Sequence, residues 1–281
     1  MPQIPRGSGG QRARRPAASV VSSDLGPRVL TAIPAAFIGV VLVWQGGLLF
    51  TVGVAVLGLV CLHELYAMFD RAHPVRLAGF LALLGMVFAA HYGDSFSVMG
   101  VMALAVPVTF LLATRQPRGG APAVSVTLLG VGWVALALAH AVLLRDLPHG
   151  DGILVGVLVG TFLGDTGAYL GGRAFGVTPL APRISPNKTV EGLVIGFVVA
   201  VAAVWFTGLY QNWLSGQQAL LLGAAVAVAA PLGDLFESYL KRDAGTKDTG
   251  RFFGPHGGAL DRLDAAMFAV VAGFYVWSAM A

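Results

Sequence analysis

Nine apolar stretches of about bilayer-spanning length fill most of this chain, at roughly 29–45, 47–69, 76–92, 95–113, 122–144, 150–172, 190–211, 217–240 and 260–281. Each is apolar on every face and about twice as long as the ten-residue alternating strands of an outer-membrane barrel, so helices are predicted. The chain therefore reads as an all-α integral membrane protein with about nine transmembrane helices. Composition agrees: 56% of the 281 residues are hydrophobic, 11% are charged, and the mean hydropathy is +0.77. So little polar surface excludes a water-soluble enzyme, a coiled coil, a collagen and a disordered chain. The single cysteine, Cys61, lies in an apolar run, which excludes an internal disulfide framework and a cysteine-built metal centre.

Residues 1–28 carry Arg6, Arg12, Arg14, Arg15 and Arg28 among Gly, Pro, Ser and Gln, a mix that cannot bury a core and reads as a disordered basic tail. An apolar run follows within a few residues, so the first span is expected to be retained, not cleaved as a signal peptide. Residues 29–281 form the membrane domain, with N-terminal helices over 29–144 and motif-bearing helices over 150–281. With the N-terminus placed in the cytoplasm, every one of the 18 Lys and Arg except Arg145 falls on the inner side. The positive-inside rule then sets the orientation and puts the C-terminus outside. Scattered between spans, these cations form no stripe, which argues against nucleic acid as a partner.

Charges at membrane depth need partners, because each costs several kcal/mol unless it faces protein, water or a cation. The span 150–172 holds Gly156, Gly160, Gly164, Ala168 and Gly172 at four-residue spacing, a close-packing face for a neighbouring helix. Asp165 and Tyr169 on the same span point to a polar cavity at the inner side. His63 and Glu64, near the inner end of the second span, read either as a proton relay or as a locally satisfied pair. His91, His140 and His149 lie near outer ends and are expected to meet water.

The segment 231–264, PLGDLFESYLKRDAGTKDTGRFFGPHGGALDRLD, is the most informative. Asp234, Glu237, Ser238 and Lys241 follow i, i+3, i+4, i+7 spacing and share one helix face, and Asp261 and Asp264 share a face of the last span. A loop carrying Lys247, Asp248, Arg251 and His256 joins the two helix ends. Hard oxygen ligands at one membrane surface suit Mg²⁺, which binds through one or two carboxylates and leaves its other positions to water and substrate phosphate. In His256-Gly257-Gly258 the glycines let backbone amides turn toward an anion. A second inner segment, Ser185-Pro186-Asn187-Lys188-Thr189-Val190-Glu191-Gly192, reads equally as a phosphate site at a helix N-terminus and as a helix cap.

These residues resemble the phosphatidate cytidylyltransferases, or CDP-diacylglycerol synthases. That family's pattern is Ser-x-apolar-Lys-Arg, four residues, Lys-Asp, a spacer to His-Gly-Gly, then Asp-Arg-x-Asp. It is matched by Ser238, Lys241-Arg242, Lys247-Asp248, His256-Gly257-Gly258, Asp261-Arg262 and Asp264. Gly233-Asp234, the 185–192 segment with Glu191, and Asp165-x-x-Ala-Tyr169 with Gly172-Arg173 also look like the family's, so the resemblance spans about 160–264. Ala259 stands where a larger apolar residue is usual, and Gly254-Pro255 inverts the usual order, both of which bear on loop shape.

The resemblance implies a membrane nucleotidyltransferase that moves CMP from CTP to phosphatidic acid, giving CDP-diacylglycerol and pyrophosphate in phospholipid biosynthesis. It implies Asp234, Asp261 and Asp264 as metal ligands in a magnesium centre, with room for a monovalent cation such as K⁺, and a homodimer. Asp234, Lys247, Asp248, Asp261 and Asp264 are then catalytic. Ser185, Asn187, Lys188, Thr189, Glu191, Ser238, Lys241, Arg242, His256, Gly257, Gly258, Arg262, Asp165, Tyr169 and Arg173 are candidates for binding substrate. CTP is cytoplasmic and phosphatidate stays in lipid, so the site is expected at the cytoplasmic face of the cell membrane. The rivals are another CTP-using lipid enzyme, such as a polyprenol kinase or a CDP-archaeol synthase, and an ion-coupled transporter built on Asp165, Glu64 and Asp234. The Asp-Gly-x-x-Ala-Arg pattern of CDP-alcohol phosphotransferases is missing, since Asp151-Gly152 leads into Ile-Leu-Val-Gly, and no G-x-x-x-x-G-K-[ST] loop is present.

Overall fold

A computed structural model describes residues 38–250 and 257–280, so the basic tail, residues 29–37 of the first span, Arg251 and His256 lie outside the described residues. In lipid every backbone polar group must find its partner internally, and the apolar runs accordingly form helices. They are α1 (described over 38–45), α2 (Gly47–Met68), α3 (Arg76–Tyr92), α4 (Ser95–Ala113), α5 (Gly120–Gly130), α6 (Leu136–Asp146), α7 (Gly150–Phe175), α8 (Val190–Gly208), α9 (Gly216–Asp243) and α10 (Leu260–Met280). A π-helical turn, Val131–Ala135, makes α5 and α6 one continuous rod. With that rod taken as one, seven helices among the described residues are long and apolar enough to cross a membrane, while α3, at 17 residues, is shorter.

Side-chain bonds sort the helix ends into two groups. At one end Tyr66 donates to the carbonyl of Thr127 (3.0 Å), whose hydroxyl takes the N–H of Val75 (2.8 Å), tying α2, α3 and α5 together. The same end holds the α7–α8 connection and the α9–α10 loop, and with them the described cations from Arg71 to Arg262, save Arg145. At the opposite end Trp277 donates to the carbonyl of Pro148 (3.0 Å), and His149 stacks on Trp213 with centroids 4.2 Å apart. Arg145 belongs to this second end for a local reason: its guanidinium donates to the carbonyls of Val43 and Trp44 (2.6 and 3.2 Å), where α1 stops and its last carbonyls lack helical donors.

Small residues set the packing of α7 on α8. A Cβ on Gly164 would press against Ala200, one on Gly160 against Val204, and one on Gly196 against the backbone of Gly164 and the side chain of Ala168, so the two backbones approach closely along the predicted stripe. By contrast α4 presents Phe96, Leu104 and Leu111 outward, as suits a helix facing lipid.

Two features depart from the sequence-based expectations. Residues Pro179–Ala181 (β1) and Ser185–Thr189 (β2) form an antiparallel hairpin, pairing Pro179 with Thr189 and Ala181 with Ser185, in a chain read from its sequence as helical throughout its ordered part. His140, expected at water, is buried instead: Nδ1 meets the carbonyl of Leu136 at 2.8 Å and Nε2 the hydroxyl of Tyr275 at 3.3 Å. Packing of α10 over α6 covers it, and its two nitrogens find protein partners in place of water.

Candidate active site

At the cation-rich end, α7, β2, α8 and α9 surround a cavity of about 440 Å³. The capping reading of the 185–192 segment holds in part, because Thr189 accepts the N–H of Gly192 at 3.1 Å and so starts α8. Glu191 also acts within the protein, accepting the N–H groups of Val177 and Thr178 at 3.1 Å and fixing the turn from α7 into β1. That turn aims the hairpin back over α9, so Asn187 and Lys188 reach the cavity and Lys188 pairs with Asp234 at 2.5 Å. Ser238, one turn on from Asp234, donates to its other oxygen at 3.3 Å. Asp165, Tyr169 and Arg173 of α7 complete the polar end.

A second network lies beside the first. Lys241 bridges Glu237 (2.5 Å) and Asp261 (2.8 Å), so α9 and α10 are joined by one ammonium between two carboxylates. The other oxygen of Asp261 accepts the N–H of Thr249 (3.0 Å) and of Gly258 (2.8 Å). Thus the glycine amide does turn toward an anion, and that anion is the chain's own Asp261. Gly257 has φ +84°, a left-handed conformation in which a side chain would be strained, and a Cβ there would also meet Asp261. Glu64, nearly buried on α2, accepts the N–H of Leu260 at 2.9 Å and so caps α10 from across the bundle. A Cβ on Gly250 or Gly258 would overlap its carboxylate. His63, one residue earlier and therefore about 100° around the helix, is exposed.

Several sequence candidates stand elsewhere. Arg242 donates to the carbonyl of Ile184 at 3.2 Å, anchoring the hairpin turn. Lys247 and Asp248 are exposed on the loop after α9, with no side-chain bond among the described residues. Ser185 sits in the hairpin ladder, Arg262 is exposed on the first turn of α10, and His256 lies outside the described residues. Glu64 and Glu237 are the contributors that sequence reasoning did not place in the site. Glu237 carried a signal in its four-residue spacing to Lys241; Glu64 had none beyond being a carboxylate in an apolar helix.

The donor set suits a hard divalent cation. Asp165 and Asp234 line the same cavity; both oxygens of Asp234 take partners, Lys188 and Ser238, as both of Asp261 take Lys241, Thr249 and Gly258. No three His, Cys, Asp or Glu side chains among the described residues converge on a single point as an all-protein cage would require.

A bundle of helices long and apolar enough to cross a membrane, with carboxylates, lysines and a cavity gathered at one end, defines an integral membrane protein with a polar site among its spans. The cytidylyltransferase family's sequence model matches residues 26–280, and the chain belongs to that family. It is 32% identical over 264 residues to the phosphatidate cytidylyltransferase of Brucella suis biovar 1 (strain 1330), covering 92% of this chain and 94% of the relative. It is 42% identical over 144 residues to that of Helicobacter pylori (strain ATCC 700392 / 26695), about half of each chain. A third relative, from Mycobacterium tuberculosis (strain ATCC 25618 / H37Rv), is 35% identical over 170 residues, covering 58% of this chain and 52% of the relative.

Proposed function

We propose that this chain transfers CMP from CTP to phosphatidate, releasing CDP-diacylglycerol and pyrophosphate. The observation that carries the reading is the convergence of Lys188, Asp234, Lys241 and Asp261 at one end of a membrane-spanning bundle, in a chain of the cytidylyltransferase family. A phosphatidate oxygen attacks the α-phosphorus of CTP, the bond to the β-phosphate bridging oxygen breaks, and pyrophosphate leaves with the electron pair. The nucleophile is already anionic, so the protein has to overcome repulsion between two anions and stabilise the leaving group. Lys188 and Asn187 hold phosphate at the cavity. Lys241 stays fixed between Glu237 and Asp261, and Lys247 and Arg262 supply cationic groups near the solvent edge. Asp234, Asp261 and Asp264 would hold Mg²⁺, the set that the resemblance implies, and when bound the ion would neutralise phosphate charge.

The site faces the cytoplasm at the cell membrane and the N-terminus is cytoplasmic, a reading supported by the segregation of cations to the site's end of the bundle. Resemblance to the family supports a homodimer and a monovalent cation such as K⁺ beside the magnesium. Purified protein incubated with CTP, phosphatidate and Mg²⁺ should yield CDP-diacylglycerol by mass spectrometry; no lipid product with any of the four nucleoside triphosphates would overturn the reading.

A further inference from the structure

The hairpin that carries Lys188 into the site cannot hold that position by itself. Its strands are three and five residues long, Pro179 and Pro186 have no N–H to give to the ladder, and the pairing is irregular between Pro179 and Ala181. An isolated two-stranded ribbon is marginal at best. Nor does the ion pair fix it, because the side chains of Lys188 and Asp234 are 27% and 31% exposed and a pair so open to solvent contributes little.

Distances along the two elements show what sets β2 on α9. The carbonyl of Ile184, just before β2, takes the Nε hydrogen of Arg242 at 3.2 Å, and further along the strand Lys188 meets Asp234 at 2.5 Å. From Ile184 to Lys188 the extended chain covers about 13 Å. From Asp234 to Arg242 the helix rises about 12 Å. The strand therefore runs antiparallel along α9 with a rung at each end, and the spacings agree well enough for both rungs to form in one register. At the base of the hairpin Glu191 takes the N–H groups of Val177 and Thr178, and the N–H of Val190 bonds the carbonyl of Thr178 at 2.9 Å. Lys188 lies between these two holds.

Resting on the reaction proposed above, we propose that Arg242 is a positioning residue: it binds no phosphate itself, and its guanidinium fixes the hairpin turn so that Lys188 reaches substrate phosphate beside Asp234. Arg242 and Lys241 are neighbours in sequence, but successive helix residues point about 100° apart. Lys241 turns inward to Glu237 and Asp261, while Arg242 turns out to the hairpin.

The test is a double-mutant cycle in the full chain, with Lys188→Ala, Arg242→Met and both together, read by CDP-diacylglycerol formation. Arg242 is exposed, so its substitution spares the core. Expected for Arg242→Met is a rise of about fivefold, the weight of one hydrogen bond, in the KM that Lys188→Ala also raises, with kcat within about twofold. In the Lys188→Ala background the same substitution should change that KM by less than about 1.5-fold. Arg242→Lys keeps a donor and should recover most of the single loss. Losses that multiply in the double variant would give Arg242 a substrate contact of its own and overturn the proposal, as would a silent Arg242→Met. A nitroxide on Arg183→Cys, at the exposed turn, reads the hold without turnover, since Cys61 is completely buried and escapes labelling. Arg242→Met should make that label more mobile, and an unchanged spectrum would overturn the proposal. A chain that makes no CDP-diacylglycerol but whose label responds refutes the reaction and leaves the hold standing. An active chain whose label and kinetics ignore Arg242 refutes the hold and leaves the reaction standing.

Discussion

Replacing Lys241 with Met tests the physical core of the site, the single ammonium that bridges Glu237 and Asp261. Glu237 is completely buried, and the side chains of Asp261 and Lys241 are only 10% and 15% exposed. Methionine keeps the stem's packing and removes the charge, leaving two carboxylates at a helix junction with no cation between them. Deleting one partner of a buried ion pair costs about 3–5 kcal/mol, because the remaining charge is desolvated and unpaired. At about 2–4 °C per kcal/mol for a chain of this size class, the melting temperature in detergent should fall by roughly 6–20 °C. The companion variant Lys241→Met with Glu237→Gln removes one of the stranded charges and should recover several degrees of that loss, while cytidylyl transfer stays impaired because the ammonium that holds Asp261 of α10 against α9 is still missing. Differential scanning fluorimetry on single and double variants reads the stability, and product formation reads the activity. A single variant that melts within a degree or two of the starting protein would refute the bridging role, as would a double variant no more stable than the single one.

Three further outcomes follow from the same geometry. Glu64→Ala leaves the buried N–H of Leu260 without an acceptor, at a cost of about 1–3 kcal/mol, and should lower kcat more than either KM. Glu64→Gln retains an oxygen for that N–H and should recover most of the stability; equal damage from both would place the role in the charge instead of the cap. For Lys188→Ala, the expectation is a raised KM for substrate, and unchanged kinetics would return the segment to its structural role alone. Asp94 caps α4 through the N–H and hydroxyl of Ser97, bonds that hold its carboxyl below the usual carboxylate range. Its folded value lies below its unfolded one, so the capping contribution is present at neutral pH and is lost as pH falls through the folded value. The melting temperatures of the starting protein and Asp94→Ala should differ at pH 7 and converge in acid; a constant gap would contradict the charged cap.

What the sequence discloses and what it hides divide along physical lines. Spans such as 95–113 and the last helix are legible because a bilayer demands length and apolarity, both of which are one-dimensional properties. The stripe Gly160, Gly164, Ala168 is legible for a related reason: helical period alone puts the three on one face. Partners across the bundle are not. That Glu64 caps α10, 196 positions away in sequence, and that His140 is covered by Tyr275 depend on how helices dock, which no local spacing encodes. The hairpin escapes because its strands are three and five residues long, one beginning at Pro179 and the other containing Pro186, so neither carries a strand pattern. Among the carboxylates, spacing identifies the faces but not the partners; only the arrangement in space shows that Asp234 is taken by Lys188 and Ser238, and Asp261 by Lys241 and two backbone N–H groups.

The central claim is that a lipid phosphate attacks the α-phosphorus of CTP. Two parallel incubations of purified protein with phosphatidate and Mg²⁺, one with CTP labelled in its α-phosphate and one labelled in its γ-phosphate, test it directly. The account predicts that the α label appears in the lipid fraction and the γ label in pyrophosphate. Recovery of the γ label in lipid would identify a kinase and contradict it.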